Sequence, residues 1–259
     1  MTVITRNQIL DALAYDRFQL FGQPKWTLGK NSCNTYEVLI DLMIAENDEK
    51  IPAKDFLPVI ESDEELTMRF GTWFLEKAFV SGARLMENLG MDLIISLNIL
   101  GFQANRAEFP DRVQEMMEKS GITNRQLQFE LSESQPLNEV GIANLNRIHD
   151  ELGISLVLGN FGMGYSTVDL LRHVPFDMLE LSRSFTANIT ESERELKVIL
   201  AILQMAHVLD ITVCAKGIET AEQLELLEEA GFFKAQGYLI GRPMPLNELE
   251  QFVRKYASA

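Results

Sequence analysis

Short runs rich in apolar and β-branched residues alternate along this chain with longer runs in which apolar residues recur every three or four positions. The short runs predict buried strands, and the longer spacing predicts amphipathic helices. Eight strands are predicted, at residues 18–21, 35–40, 93–97, 127–131, 155–158, 178–181, 212–215 and 236–239. Strands that are separated by helices favour a parallel sheet, because each crossover returns the chain to the same end of the sheet.

The clearest helices lie between the later strands. Residues 138–152 and 195–209 each carry an apolar stripe on one helical face. Thr220 is followed three residues later by Gln223, the order of a capping box, which predicts that a third helix begins there. Eight strands in a chain of this length indicate one domain, residues 1–259, folded as a single TIM-like (β/α)8 barrel of the α/β class.

Composition and charge exclude several classes of function. The chain has 23 Lys and Arg against 38 Asp and Glu, a formal charge of −15, and no long basic run. Such a surface repels phosphate backbones and anionic lipids, so direct binding to nucleic acid or to a membrane is not expected. No apolar stretch reaches the ~20 residues of a membrane helix, and the N-terminus has no apolar signal core, which predicts a cytoplasmic location. Cys33 and Cys214 lie in apolar runs without metal-type spacing, which favours buried, reduced thiols.

Polar residues stand at the ends of most predicted strands. In a parallel barrel the carboxyl ends of the strands meet at one face, and functional sites lie there. These residues are Glu37, Asn98, Glu130, Glu133, Asn160, Glu180, Lys216, Glu219 and Gln236. The set is rich in the oxygen ligands that Mg²⁺ and other hard cations prefer. Two interpretations are open from the residues alone: a metal site, or a solvated barrel mouth with ion pairs.

Short motifs around these residues follow one another in a fixed order. They read Gln23-Pro24, Tyr36-Glu37-Val38-Leu39, Ser96-Leu97-Asn98, Phe129-Glu130-Leu131-Ser132-Glu133, Leu158-Gly159-Asn160-Phe161-Gly162-Met163-Gly164-Tyr165-Ser166, Leu179-Glu180-Leu181-Ser182-Arg183-Ser184-Phe185, Ala215-Lys216-Gly217-Ile218-Glu219-Thr220, Ala235-Gln236-Gly237-Tyr238-Leu239 and Gly241-Arg242-Pro243-Met244-Pro245. The series resembles the Q-P, E-A-L, asparagine-strand, E-x-T-E, D-D-F-G-T-G-Y-S, L-K-I-D-R-S-F, A-E-G-V-E-T, Q-G-Y-L and G-R-P-M-P motifs of the EAL family of cyclic di-GMP phosphodiesterases. The resemblance covers nearly the whole chain and implies a barrel of the EAL type.

The resemblance also implies a chemistry, in which two Mg²⁺ or Mn²⁺ ions activate a water for attack on a phosphodiester. The positions that keep the family's site residues are Glu37, Asn98 and Glu130, with Glu133, Glu219 and Gln236 in support. The positions that depart from the pattern are Asp41, Gly159, Asn160, Glu180 and Lys216.

The departures remove the parts that the chemistry needs. Gly159 and Asn160 stand where the family has an aspartate pair, and Lys216 stands where it has a glutamate. Glu180 replaces a lysine, and Asp41 replaces an arginine that grips a ligand phosphate. Negative charge has thus moved from the metal positions to the phosphate positions, so we expect no phosphodiesterase activity, no metal and no other cofactor. The sequence leaves open whether one weak metal site persists on Glu37, Asn98 and Glu130.

The exchange of charge at two strand ends predicts a contact. Glu180 and Lys216 end neighbouring strands, and swapped charges can form a salt bridge that holds the barrel mouth. The alternative is two independent solvated side chains.

Two functions are therefore considered. The first is a regulator that acts through protein–protein contacts, as some degenerate EAL-like proteins do when they bind FlhD, a subunit of the flagellar master regulator, and repress motility. An acidic barrel suits a basic, DNA-binding partner of this kind. The alternative is a sensor that binds cyclic di-GMP without hydrolysing it, which Asp41 disfavours. The sequence leaves open whether the chain forms a homodimer.

Overall fold

The structure is a computed structural model that describes residues 4–30, 32–44, 49–132, 137–162 and 167–256. Within these residues the strands are β1 (Phe18–Thr27), β2 (Ser32–Ile44), β3 (Glu49–Pro52), β4 (Ile94–Ile99), β5 (Leu127–Ser132), β6 (Ser155–Phe161), β7 (Met178–Leu181), β8 (Thr212–Lys216), β9 (Lys234–Gln236) and β10 (Met244–Pro245). The α-helices are α1 (Arg6–Ala14), α2 (Ala53–Glu61), α3 (Glu64–Leu89), α4 (Gly101–Ala104), α5 (Phe109–Ser120), α6 (Glu139–Asp150), α7 (Thr167–His173), α8 (Arg183–Thr186), α9 (Glu193–Val208), α10 (Ala221–Ala230) and α11 (Leu246–Tyr256).

Eight of the strands close into a ring. The order around the ring is β1, β9, β8, β7, β6, β5, β4 and β2, and β2 pairs again with β1. The strands β3 and β10 extend the sheet at its edges, beside β2 and β1. Helices cover the outside, so the predicted α/β barrel of eight strands is confirmed.

The expectation of an all-parallel sheet is wrong for the first strand. β1 runs antiparallel to both of its ring neighbours, β2 and β9, whereas the other ring pairings are parallel. A short turn that contains Gly29, with φ +72°, joins β1 to β2. A connection this short can only reverse the chain, because parallel neighbours need a crossover of about a dozen residues or more.

The last ring strand also lies earlier than predicted. β9 ends at Gln236, and residues 237–239 leave the sheet in a turn. The chain passes so close to the loop after β8 that a Cβ at Gly237 would lie 2.1 Å from the carbonyl oxygen of Ile218. Beyond this contact Tyr238 and Leu239 are exposed rather than buried in a strand.

The predicted helices occur close to their expected bounds. Asn138 caps α6 by accepting a hydrogen bond from the backbone N–H of Gly141. Thr220 and Gln223 form the predicted capping box at the start of α10. None of the described helices is both long and apolar enough to cross a membrane.

The ring separates two interiors of different chemistry. Outside the ring, side chains such as Phe79, Leu75 and Ile148 pack helices on the sheet in one continuous apolar core. Inside the ring, the buried apolar cluster consists only of Val157, Met178 and Cys214 among the described residues, and the other inward positions are largely polar. The candidate site occupies the upper part of this polar interior.

Candidate functional site

The strand ends bring one ammonium group and three carboxylates together. Lys216 Nζ at the end of β8 lies 3.1 Å from Glu37 Oε2, 3.0 Å from Glu130 Oε2 and 2.6 Å from Glu180 Oε2. The three glutamates come from β2, β5 and β7, so the contact spans the barrel from side to side. The predicted ion pair between Glu180 and Lys216 is confirmed, and two further carboxylates share the same lysine.

A second lysine lies beneath the first and was missed by the sequence analysis. Lys25 on β1 is fully buried, and its Nζ donates to Glu180 Oε1 at 2.6 Å, to Ser96 Oγ at 3.0 Å and to Glu130 Oε1. The residue stands two positions after Gln23, on the same face of the strand. The only sequence signal for it was a lysine flanked by Pro24 and Trp26 in a run that is otherwise suited to a strand.

Side-chain amides hold the outermost glutamate. Asn98 donates to Glu37 Oε1 at 2.8 Å, and Gln236 donates to Glu37 Oε2 at 3.0 Å. Two residues that the sequence placed at the mouth therefore serve as hydrogen-bond donors to a third.

The electrostatics of the cluster follow from burial and mutual contact. Burial opposes the charged form of Lys216, but the carboxylates of Glu130, Glu180 and Glu37 outweigh it and raise the pKa of the lysine well above its ordinary value. Burial also acts against ionised Glu130, yet Lys216 and Lys25 hold its pKa below the usual range. Burial and then the adjacent Glu130 raise the pKa of Glu180. With every group charged, the three carboxylates and two ammonium groups of this cluster carry one net negative charge.

The remaining predicted site residues lie outside this cluster. Glu219 is exposed on the loop after β8, where its carboxylate pairs with Arg183 at 2.7 Å. Asn160 is exposed at the end of β6 with a φ of +56°. Asp41 lies on the same face of β2 as Glu37 but four residues further on, half-buried, and its pKa is raised by burial. Glu133 falls outside the described residues.

Below the cluster the interior continues with another lysine and the two cysteines. Lys234 Nζ donates to Thr35 Oγ1 at 2.5 Å, and burial, with Lys25 nearby, lowers the pKa of Lys234 to about 8. Cys33 and Cys214 are free and buried, as the sequence predicted, and burial raises the pKa of each thiol, to about 11 and about 12.

These residues do not fit the two-ion site that the resemblance implies. Gly159 faces the cluster, since a Cβ built there would lie 3.9 Å from Glu130 Oε2, but glycine supplies no ligand. The oxygens that Glu37 and Glu130 would offer to a metal ion instead contact Lys216. No group of three or more His, Cys, Asp and Glu side chains is arranged to hold a metal ion in the part of the chain that the structure describes.

Two hollows flank the cluster at the barrel mouth. One of about 190 Å³ lies directly above it and is lined by Gln23, Glu37, Lys216 and Tyr238, among others. The other, of about 230 Å³, lies between β2, α2 and α3, and its walls are mostly apolar. Asn98 and Asn160 line its polar side.

Comparison with proteins of known sequence supports one family. The chain is 31% identical over 252 residues to the cyclic di-GMP phosphodiesterase NbdA of Pseudomonas aeruginosa, covering 96% of this chain and 32% of the relative. It is 30% identical over 253 residues to the cyclic di-GMP phosphodiesterase PdeF of Escherichia coli, covering 96% of this chain and 33% of the relative. The chain thus spans about a third of the length of these curated relatives.

Solved structures agree with the sequence comparison. The EAL enzyme Bd1971, in its form bound to cAMP and cyclic di-GMP, superposes with a TM-score of 0.89 at 26% identity, over 95% of this chain and 67% of that one. An EAL domain protein from Listeria monocytogenes superposes with a TM-score of 0.84 at 27% identity, over 97% of this chain and 98% of that one. The EAL domain model matches residues 6–243, and the chain therefore belongs to the EAL domain family.

Proposed function

We propose that this chain is a non-catalytic EAL-domain protein of cyclic di-GMP signalling that acts by binding a protein partner. The partner class is a transcription regulator, and FlhD of the flagellar master regulator, with repression of motility, is the leading candidate. The observation that carries the proposal is the position of Lys216 Nζ, within 3.1 Å of a carboxylate oxygen of Glu37, Glu130 and Glu180.

This arrangement opposes metal-assisted phosphodiester hydrolysis. Such a reaction needs two cations with open positions for the attacking water and for the phosphate oxygens. Here a tethered ammonium group already compensates the carboxylates, and Lys25 compensates Glu130 and Glu180 from below. A divalent ion at the same place would have to displace a partly buried, multiply paired lysine, and neither Gly159 nor Asn160 offers a carboxylate in return.

The outer surface supports a role in protein contacts. Helix α9 turns one apolar stripe to the barrel and carries a second one along its outer side, formed by Val198, Ala201, Val208 and the half-buried Met205, which also packs against the core. Three of these four side chains are exposed, including Val208 at 72%. A contiguous apolar stripe on a protein of net charge −15 suits a partner that combines apolar and basic residues.

The first experiment separates catalysis from binding to a partner. The purified chain is incubated with cyclic di-GMP and either Mg²⁺ or Mn²⁺, with the EAL domain of Escherichia coli PdeF as the active control. We expect no linear or mononucleotide product above the no-protein background. Turnover that is lost in Glu37→Gln would show that the cluster is catalytic and would refute the proposal.

The second experiment tests the partner class. Binding of purified FlhD is measured by biolayer interferometry to the wild-type chain, to Met205→Glu and to a matched control, His207→Glu, which places the same side chain at an exposed position on another side of the same helix. We expect micromolar or tighter binding that Met205→Glu weakens at least tenfold. Absence of binding to FlhD would reject this candidate, and equal binding by the two variants would reject α9 as the contact.

The apolar hollow of about 230 Å³ beside Asn98 favours one alternative function, a sensor that binds cyclic di-GMP without hydrolysis. Calorimetric titration with cyclic di-GMP in the presence of Ca²⁺ tests it. Saturable heat in the micromolar range would favour the sensor, whereas no heat up to high micromolar ligand would leave the interaction protein as the function.

A further inference from the structure

The carboxylates around Lys216 converge on a single point. In each of Glu37, Glu130 and Glu180 it is the Oε2 atom that faces Lys216 Nζ, at distances between 2.6 and 3.1 Å. Within the described residues, the buried Oε2 of Glu180 accepts no hydrogen bond of good geometry, so its contact with the lysine is purely an ion pair. Carboxylate oxygens are ligands that hard cations prefer, but with Lys216 at their centre these three are not arranged to hold a metal ion in the described structure.

Each of these carboxylates is also held by a group other than Lys216. Their second oxygens are held from the other side, Glu37 Oε1 by Asn98 and Glu180 Oε1 by Lys25. Glu130 Oε1 accepts hydrogen bonds from Lys25 and from Ser96 Oγ. Groups that fix ligands from behind in this way are what keeps a metal site in shape.

The net charge of the cluster also favours binding of a divalent cation when Lys216 is replaced by a neutral residue. With Lys216 present, three carboxylates and two ammonium groups carry a net charge of minus one. A neutral residue at position 216 would leave minus two in a buried site, and a divalent cation would bring the sum to zero. Uncompensated buried charge is costly, so such a site should attract a counter-ion strongly.

We propose that Lys216 is the resident cation of this site, and that a neutral side chain at position 216 converts Glu37, Glu130 and Glu180 into a site for a hard divalent cation. The lysine is tethered to β8 and its side chain is 18% exposed, so the barrel mouth carries its own cation at all times. The natural protein therefore assembles its mouth without Mg²⁺, Mn²⁺ or Ca²⁺, and chelators leave it unchanged. This inference does not depend on the identity of any protein partner.

The test uses Mn²⁺ as the probe and three proteins: wild type, Lys216→Met and the double variant Lys216→Met/Glu180→Gln. Mn²⁺ binding is measured by electron paramagnetic resonance of the free ion and by calorimetry, and melting temperatures are measured in EDTA and in excess Mn²⁺. For Lys216→Met we expect one bound Mn²⁺ per chain and a rise of about 5 °C in melting temperature with Mn²⁺. For the wild type we expect no bound Mn²⁺ and the same melting temperature in both buffers.

The double variant tests whether the third carboxylate is a ligand. Loss of Glu180 should weaken Mn²⁺ binding by at least tenfold relative to Lys216→Met. Stoichiometric Mn²⁺ binding by the wild type would overturn the proposal, because the lysine would then not exclude the ion. A Lys216→Met protein that folds but binds no Mn²⁺ would also overturn it. A Lys216→Met protein that is unfolded in EDTA and stays unfolded in Mn²⁺ would also overturn the proposal, because a bound divalent ion should replace the missing charge.

Discussion

The two interiors of this barrel are stabilised by opposite means. Between the ring and its helices, Leu75, Phe79 and Ile148 belong to a continuous apolar core, which excludes water and needs no exact partner for each group. Inside the ring, Lys25 and Glu130 are buried charges that are tolerated because each contacts groups of opposite charge, including the other. The loss in the free energy of unfolding should therefore depend on the side-chain volume removed in the outer core, and on the charge left unpaired in the inner one.

The largest expected effect is at Lys25. Lys25→Met removes one ammonium group from beneath Glu130 and Glu180, so two buried carboxylates lose a counter-charge. We expect a loss of about 3–5 kcal/mol in the free energy of unfolding, measured by urea denaturation. Lys25→Met/Glu180→Met should recover part of the loss, and a double variant as unstable as the sum of its two single variants would contradict the idea of a coupled network.

The matched change in the outer core is Leu75→Ala on α3. Leu75 is buried at 2% exposure, and truncation leaves a cavity, so we expect a loss of about 3 kcal/mol by the same urea measurement. This loss should not vary with pH between 6 and 9, because no titrating group is removed. A clear pH dependence of this loss would contradict the expectation that the outer core is stabilised without titrating groups.

A smaller, pH-dependent effect is expected at Lys234. Its folded pKa of about 8 lies below the ordinary value of 10.5, so between these values the unfolded chain binds the extra proton and stability rises with pH. Lys234→Met should therefore be more stable than the wild type at pH 7, and the gap should shrink by about 1 kcal/mol by pH 9.

The pH dependence is measured as the difference in the free energy of unfolding between Lys234→Met and the wild type, because other groups also titrate in this range. The raised thiol pKa values of Cys33 and Cys214 make stability fall with pH once the unfolded thiols ionise, near 9.0. The wild type and Lys234→Met share this effect, so it cancels in the difference between their free energies of unfolding. A gap that stays constant from pH 7 to pH 9 would show that Lys234 does not titrate in this window.

The smallest effect is expected for an exposed ion pair. Lys197 and Glu193 are 2.7 Å apart on the outside of α9, and both side chains are at least 70% exposed. Lys197→Ala should change the free energy of unfolding by less than about 0.5 kcal/mol, again by urea denaturation. A loss comparable to that of Lys25→Met would mean that burial does not set the strength of ion pairs in this protein.

Much of the barrel could be predicted because its signals are local. The apolar runs marked the ring strands, and the capping box of Thr220 and Gln223 marked the start of α10. The Glu180–Lys216 contact was accessible for a similar reason, since β7 and β8 follow one another along the chain and pair in the sheet. Opposite charges at the ends of adjacent strands are close enough for their side chains to form an ion pair.

The parts that were missed depend on contacts between distant segments. Lys25 lies 105 residues from Glu130 and 155 from Glu180 along the chain, and no local pattern indicates that their side chains meet. The antiparallel direction of β1 followed from its hairpin with β2, not from the periodicity of either strand. Glu219 lines the hollow above the cluster with Glu37 and Lys216, but its carboxylate pairs with Arg183, which no local pattern indicated.

The sequence by itself determined the alternation of strands and helices and the family, because both are written in residue type and spacing. That Gly159 and Asn160 replace an aspartate pair is a prediction that the sequence made from the same information. Only the tertiary structure decided that Lys216 contacts three carboxylates at once and that Lys25 supports two of them from below. The physical reason is that ring closure sets which inward side chains meet. The energy of a buried charge depends on those neighbours rather than on the residue's place in the chain.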